Sequence, residues 1–157
     1  MKKFISFAIY FLCVNGYSFG QDVARDTSVQ NKIKQINTDP KNLEPINGKV
    51  IVYIVRPTFF GTVIRQDINC DNYFIGSTKG EEYLYTVILP GKHIFRSASE
   101  NTKKLEVILE AGKIYYIKQQ VKMGAFYAAT GLKLLTDEEG KKFLTKCKLS
   151  KENTYPN

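Results

Sequence analysis

The sequence predicts a mainly β chain, an antiparallel β-sandwich of about seven to eight short strands closed by a short C-terminal helix. Three observations predict it. Residues 50–55 (VIVYIV) form a run of β-branched and aromatic residues with no polar face, the pattern of a strand covered on both sides. Strand-like segments then recur roughly every 8–12 residues, parted by short turns rich in Gly, Pro, Asp and Asn. Near the end the period changes: Thr136 stands three residues before Glu139, a capping-box signature for a helix start.

Taken in chain order, the first twenty residues have their own chemistry. Lys2 and Lys3 precede an apolar run at 4–14 (FISFAIYFLCV), which gives way to polar and small residues at 15–20 (NGYSFG). This order is that of a secretory signal peptide. Cleavage is expected after Gly20, with Ser18 at position −3, and Gln21 becomes the new terminus; a cut after Gly16 is the next choice. The run falls short of the roughly 20 apolar residues that span a bilayer. Phe11 and Leu12 before Cys13 do not suit lipidation. The chain is therefore expected in an extracytoplasmic compartment, periplasmic or secreted, with no transmembrane segment after cleavage.

Loss of residues 1–20, which hold two Lys and no acid, leaves 21 basic and 15 acidic side chains and lowers the net charge from +8 to +6. A basic balance favours an anionic envelope component as partner, although the charge is dispersed along the chain. Residues 21–48 are polar, broken by Asp39-Pro40, Pro45 and Asn47-Gly48, and read as a flexible leader. Residues 49–149 are the sandwich domain with its helix, and 150–157 a tail.

Within the domain, Arg56-Pro57 ends the first strand because proline supplies no ladder donor. Residues 62–69 and 73–77 read as strands joined at Asp71-Asn72. Residues 82–89 and 93–98 read as partner strands of a hairpin about Pro90-Gly91, the pair a type II turn needs. Residues 105–109 and 114–121 read as a second hairpin, turning at Ala111-Gly112. After Thr136, Phe143, Leu144 and Cys147 share one helical face, and Lys141, Lys142, Lys146 and Lys148 suit the C-terminal end of the dipole. Gly140 inside this helix costs about 1 kcal/mol relative to Ala.

The segments VIVYIVRP (50–57), DNYFIG (71–76), YTVILPGKHIF (85–95), LEAGKIYYI (109–117) and LLTDEEGKKFL (134–144) resemble a family of exported bacterial proteins known only as a domain of unknown function. The middle portion is also similar to the PEGA-type β domains of bacterial surface proteins. Both resemblances imply a β-sandwich of extracytoplasmic proteins, and neither implies a reaction. Such domains usually carry Asp-Gly at the tight turn, whereas here Asp71 is followed by Asn72, a residue that tolerates the left-handed conformation.

No catalytic set, cofactor motif or metal-ligand spacing emerges. One His, His93, and two distant Cys do not make a zinc pattern, and His93 has no nucleophile elbow to serve. The carboxylate pairs Asp67 with Asp71, Glu81 with Glu82, and Glu106 with Glu110 read as structural. The four Gly-Lys pairs lack a phosphate-loop frame. Nucleic acid is not expected, for want of the aromatic-and-basic motifs of the common modules. Cys70 and Cys147 either form a disulfide, which an oxidising compartment permits, or stay as separate buried thiols.

The remaining interest lies in aromatics. Phe59 and Phe60 (RPTFFGT) and Phe126 and Tyr127 (MGAFYAATG) occupy loop-like stretches, either as an apolar lip for a ligand or partner or folded back to cap the core. The expected function is that of a non-enzymatic exported module contacting an envelope protein. The alternative is a binding protein for a small apolar or anionic ligand held by the aromatic loops. An envelope hydrolase built on His93 or the Asp67–Asp71 pair is the third reading.

Overall fold

The computed structural model describes residues 39–59, 62–98, 102–123 and 128–154. The signal segment, most of the leader and the aromatics Phe60, Phe126 and Tyr127 lie outside the described residues. Among the described residues a 3-10 turn, Pro40–Asn42, precedes nine strands and one helix. In order these are β1 (Val50–Arg56), β2 (Gln66–Cys70), β3 (Tyr73–Thr78), β4 (Glu82–Ile88), β5 (Gly91–Ala98), β6 (Thr102–Leu109), β7 (Ile114–Met123), β8 (Ala128–Leu134), α1 (Asp137–Thr145) and β9 (Lys148–Leu149). One sheet has the order β8-β7-β1-β4-β9 and the other β3-β2-β5-β6.

All seven residues of β1 are buried, because β1 is central in its sheet and that sheet is covered on both faces. Val50, Val52 and Ile54 pack toward the second sheet with Ile68, Ile75, Phe95 and Ile117. Ile51, Tyr53 and Val55 pack on the outer side with Tyr83, Tyr85, Tyr116 and Leu144. Each fully buried aliphatic side chain here is worth roughly 1.5–3 kcal/mol of transfer free energy. The apolar run that marked the strand thus serves two cores, split by the period of two.

The expected hairpins about Pro90-Gly91 and Ala111-Gly112 are not formed: each turn carries the chain from one sheet to the other, since β4 and β7 lie in the five-stranded sheet and β5 and β6 in the four-stranded one. The sandwich is antiparallel apart from two pairings. β1 runs parallel to β7, with Ile51 opposite Ile114 and Val55 opposite Lys118, and β4 runs parallel to β9. β8, in a segment rich in small residues that reads as loop, is a strand because it pairs with β7 from Ile117–Leu134 to Met123–Ala128. The turn between β2 and β3 is left-handed at Asp71 (φ 54°) rather than at Asn72; the carboxylate of Asp71 explains the choice, as shown below.

α1 begins as expected. The Thr136 hydroxyl accepts from the Glu139 N–H at 3.3 Å, and the Glu139 carboxylate accepts from the Thr136 N–H at 3.3 Å. Leu144 and Cys147 are buried and Phe143 half-buried against the outer face of the sheet.

Two expectations at the edges of the domain are corrected. The leader packs from Asp39 onward: Leu43 and Ile46 rest on the outer core, and the Tyr53 hydroxyl donates to the Pro40 carbonyl at 2.7 Å. Residues 150–154 are not a loose tail. Ser150 and Asn153 are buried, the Asn153 side chain accepts from the Tyr85 N–H at 3.1 Å, and the Thr154 N–H donates to the Ile75 carbonyl at 2.9 Å. These residues lace β4 of one sheet to β3 of the other. Among the described residues no helix is long and apolar enough to cross a membrane.

The two sheets are also joined by a buried polar chain. Thr78 donates to Gln119 Oε1, Gln119 Nε2 donates to Ser97 Oγ at 2.8 Å, Ser97 Oγ lies 2.5 Å from Thr130 Oγ1, and Thr130 donates to Gln66 Oε1 at 3.4 Å. Beside it, fully buried Arg56 donates from Nη1 to the carbonyls of Ile64 at 2.7 Å and Thr78 at 3.0 Å. Burial lowers the Arg56 pKa while Glu82 opposes the shift.

Candidate functional site

Two places bring together chemistry that the sequence keeps apart. The first is a groove of about 630 Å³ on the outer face of the five-stranded sheet, between residues 39–45 and α1. Its floor is Tyr53 of β1 and Tyr116 of β7, adjacent because the strands run in parallel register with these two residues opposite each other. Their rings stack with centroids 5.5 Å apart and planes 12° from parallel. Leu43, Ile114 and Leu144 supply apolar walls, and Lys41 and Lys141 bring ammonium groups from the two sides.

Gly140 sets how closely α1 lies on Tyr116. A Cβ there would stand 2.1 Å from Tyr116 Cγ, so only glycine lets the helix lie this close to the ring. Burial raises the phenol pKa of Tyr53 and of Tyr116, so the floor stays neutral at physiological pH. Lys41 lies 5.9 Å from the Tyr83 ring centroid, and Lys141 pairs with Asp137 at 2.7 Å with both side chains exposed. Such exposed contacts are weak, and both cations can turn toward a guest.

The second place is the turn between β2 and β3. There Asp71 Oδ1 accepts from the Ile94 N–H at 2.9 Å, and Arg96 donates to the Asp71 carbonyl. His93 Nδ1 lies 2.8 Å from Asp71 Oδ2, and His93 Nε2 donates to the Leu89 carbonyl at 2.9 Å. Cys70 Sγ completes the group at 3.8 Å from Asp71 Oδ2 and 3.9 Å from His93 Nδ1. The left-handed turn at Asp71 is what swings the carboxylate over β5 to meet both partners.

This group is not a nucleophile with its base. The thiol is buried, its pKa is pushed up by burial and by Asp71, and Asp71 rather than the sulfur takes the short contact to His93. Asp67 is engaged elsewhere, accepting from Ser77 Oγ at 2.6 Å.

Of the residues singled out from sequence, Phe59 is 70% exposed at the end of the sandwich where β1 terminates. Its expected companions Phe60, Phe126 and Tyr127 lie outside the described residues. β1 and β7 are parallel neighbours, so the two strands run toward the same end of the sheet. Cys70 and Cys147 are free thiols. They sit in separate cores, one between the sheets and one under α1, with the five-stranded sheet between them, and so the bridge is not formed.

Sequence reasoning missed both places. Tyr53, Tyr116 and Gly140 looked like ordinary strand and helix residues, and Cys70-Asp71 lies more than twenty positions from His93. The antiparallel pairing of β2 with β5, which sets Cys70 opposite Phe95, is what brings them together.

A family model described as a protein of unknown function (DUF2846) matches residues 46–131. The chain belongs to this family. The matched part of this DUF2846 chain carries β1 to β7, the first half of β8 and the Cys70–Asp71–His93 group, and it stops before α1, which walls the groove. The DUF2846 chain is also similar to an uncharacterized protein of Haemophilus influenzae, 29% identical over 156 residues that cover 90% of this chain and 93% of the relative. No solved structure matches.

Proposed function

We propose that this DUF2846 chain is an exported, non-enzymatic β-sandwich protein that acts by binding, and that its ligand is a small amphipathic molecule with an anionic end. The observation that carries the binding site is the groove over Tyr53 and Tyr116. It is a concave surface of about 630 Å³ whose apolar part is Leu43, Ile114, Leu144 and the two rings, and whose polar part includes Lys41 and Lys141 beside the carboxylates of Asp39 and Glu44. Concave sites that combine apolar walls with a few convergent polar groups are the usual build of a ligand site. The apolar body of the guest lies on Leu43, Ile114 and Leu144, and its anionic end meets Lys41 and Lys141. Export rests on the charge, apolar and small-residue order of residues 1–20, and the PEGA-like middle portion agrees with an envelope setting.

Titration with anilinonaphthalene sulfonate, a planar apolar probe bearing one anion, tests the groove. Saturable fluorescence enhancement is expected with the folded protein. Lys41→Glu with Lys141→Glu weakens it by about tenfold, a change of ~1.4 kcal/mol. Equal binding by the charge-reversed variant contradicts the reading. For export, cell fractionation with terminal sequencing is expected to give an extracytoplasmic chain beginning at Gln21.

A second contact surface is favoured by Phe59 and Val63, which follow β1 in the chain and are 70% and 87% exposed. Exposed large apolar groups suit an envelope protein partner. Phe59→Ser is expected to reduce crosslinking to that partner without changing probe binding in the groove.

A further inference from the structure

We propose that Cys70 Sγ, Asp71 Oδ2 and His93 Nδ1 form a binding site for a zinc-class divalent ion with three protein ligands. The three donor atoms converge, all within 4.8 Å of one another. Tetrahedral zinc with bonds of about 2.0–2.3 Å to N, O and S sets ligand-to-ligand edges of roughly 3.3–3.6 Å. The two edges to sulfur, 3.8 and 3.9 Å, are already within a few tenths of that range. The third, 2.8 Å between Nδ1 and Oδ2, opens by about 0.5 Å to admit a metal between the two atoms.

The surroundings are those of a metal site rather than of an ion pair alone. His93 Nε2 is committed as a donor to the Leu89 carbonyl, which in the neutral ring leaves the lone pair on Nδ1 facing the cluster. Asp71 Oδ1 is held by the Ile94 N–H, which turns Oδ2 toward the same point. Ligand orientation by such outer partners is a regular feature of metal-binding His and carboxylate groups. Charge also balances: a thiolate and a carboxylate neutralise a dication, with the protons carried by the ligand atoms released on binding. The mixed S, N, O set suits zinc, and three protein ligands leave a fourth position for water. Asp71 is the partly exposed member, with 33% of its side chain accessible, and marks the route of entry. The site lies where the central strands β2 and β5 of the second sheet end and begin, apart from the groove, and stands or falls independently of it.

Titration of the purified, reduced protein with Co²⁺ tests the site. One ion per chain is expected, with a thiolate-to-cobalt charge-transfer band that Zn²⁺ abolishes by displacement. Cys70→Ser removes the band and Cys147→Ser keeps it. Asp71→Asn and His93→Gln, each checked for native circular dichroism, weaken binding by about tenfold or more, at least the loss seen when an outer partner is removed. These two variants serve if Cys70→Ser fails to fold. Absence of stoichiometric binding by the folded wild type, or a band that depends on Cys147 instead of Cys70, overturns the proposal.

Discussion

Gly140 of α1 lies against the ring of Tyr116 with no room for a side chain, since a Cβ there would fall 2.1 Å from Cγ and 2.4 Å from Cδ2. A glycine in mid-helix is usually a weakness that alanine repairs by about 1 kcal/mol. Here the backbone is buried against an aromatic floor that itself stacks on Tyr53. Gly140→Ala is therefore expected to destabilise the protein by about 1–3 kcal/mol, the cost of overpacking. Urea unfolding should give a lower midpoint, and a higher one would refute the close packing. Tyr116→Ala with Gly140→Ala should recover part of the alanine cost, because the two sites share one contact.

The C-terminal residues hold the sheets together through hydrogen bonds. Asn153 receives the Tyr85 N–H, Ser150 Oγ donates to the Ser77 carbonyl at 2.7 Å, and Gly76 lies so close to the chain that a Cβ would meet the Glu152 carbonyl at 2.3 Å. Asn153→Ala strands a buried N–H and is expected to cost about 1–3 kcal/mol. Hydrogen exchange at Tyr85 should accelerate in this variant, and unchanged protection would count against the lacing.

Gln119 stands in the middle of the polar chain from Thr78 to Gln66. Truncating it leaves Thr78 and Ser97 short of partners in a buried setting, and Gln119→Ala is expected to cost about 2–4 kcal/mol in unfolding free energy. Ser97→Ala added to it should cost less than it does alone, and strict additivity of the two would show that they are not one network.

Alkali should loosen the outer core. Burial pushes the Cys147 thiol up to about 11 from the ordinary 9.0 and raises the phenols of Tyr53, Tyr83 and Tyr116. An acid whose folded pKa is raised keeps its proton in the folded state after the unfolded chain has lost it, so stability falls as pH rises. For Cys147 the contribution is present below about pH 9 and is lost between about pH 9 and 11. Melting temperature is expected to be level near neutrality and to drop across that window, less steeply in Cys147→Ser. A flat profile to pH 11 would contradict the burial of these groups.

How much of this was legible in the sequence follows from what each residue depends on. β1, the turn at Asp71-Asn72 and the Thr136–Glu139 capping box depend on local chemistry, and each is found where it was expected. The chain also turns at Pro90-Gly91 and Ala111-Gly112, but which strands pair across those turns is set by the sheets, and there the hairpin expectation fails. β8 was not legible, because its small residues become a strand only by pairing with β7. The packed end escaped notice because Ser150, Asn153 and Thr154 are polar, and they are held in place by backbone groups of distant strands. The groove and the Cys70–Asp71–His93 group share that character. Each depends on a register, β1 with β7 in one case and β2 with β5 in the other, which no local pattern encodes.

The central claim is that this protein acts by binding in the groove over Tyr53 and Tyr116. An NMR titration of isotopically labelled protein with anilinonaphthalene sulfonate tests it most directly. Shifts confined to Leu43, Tyr53, Ile114, Tyr116, Lys141 and Leu144 that saturate together are expected. Shifts that cluster on the outer face of the second sheet, or none at saturating probe, would contradict it.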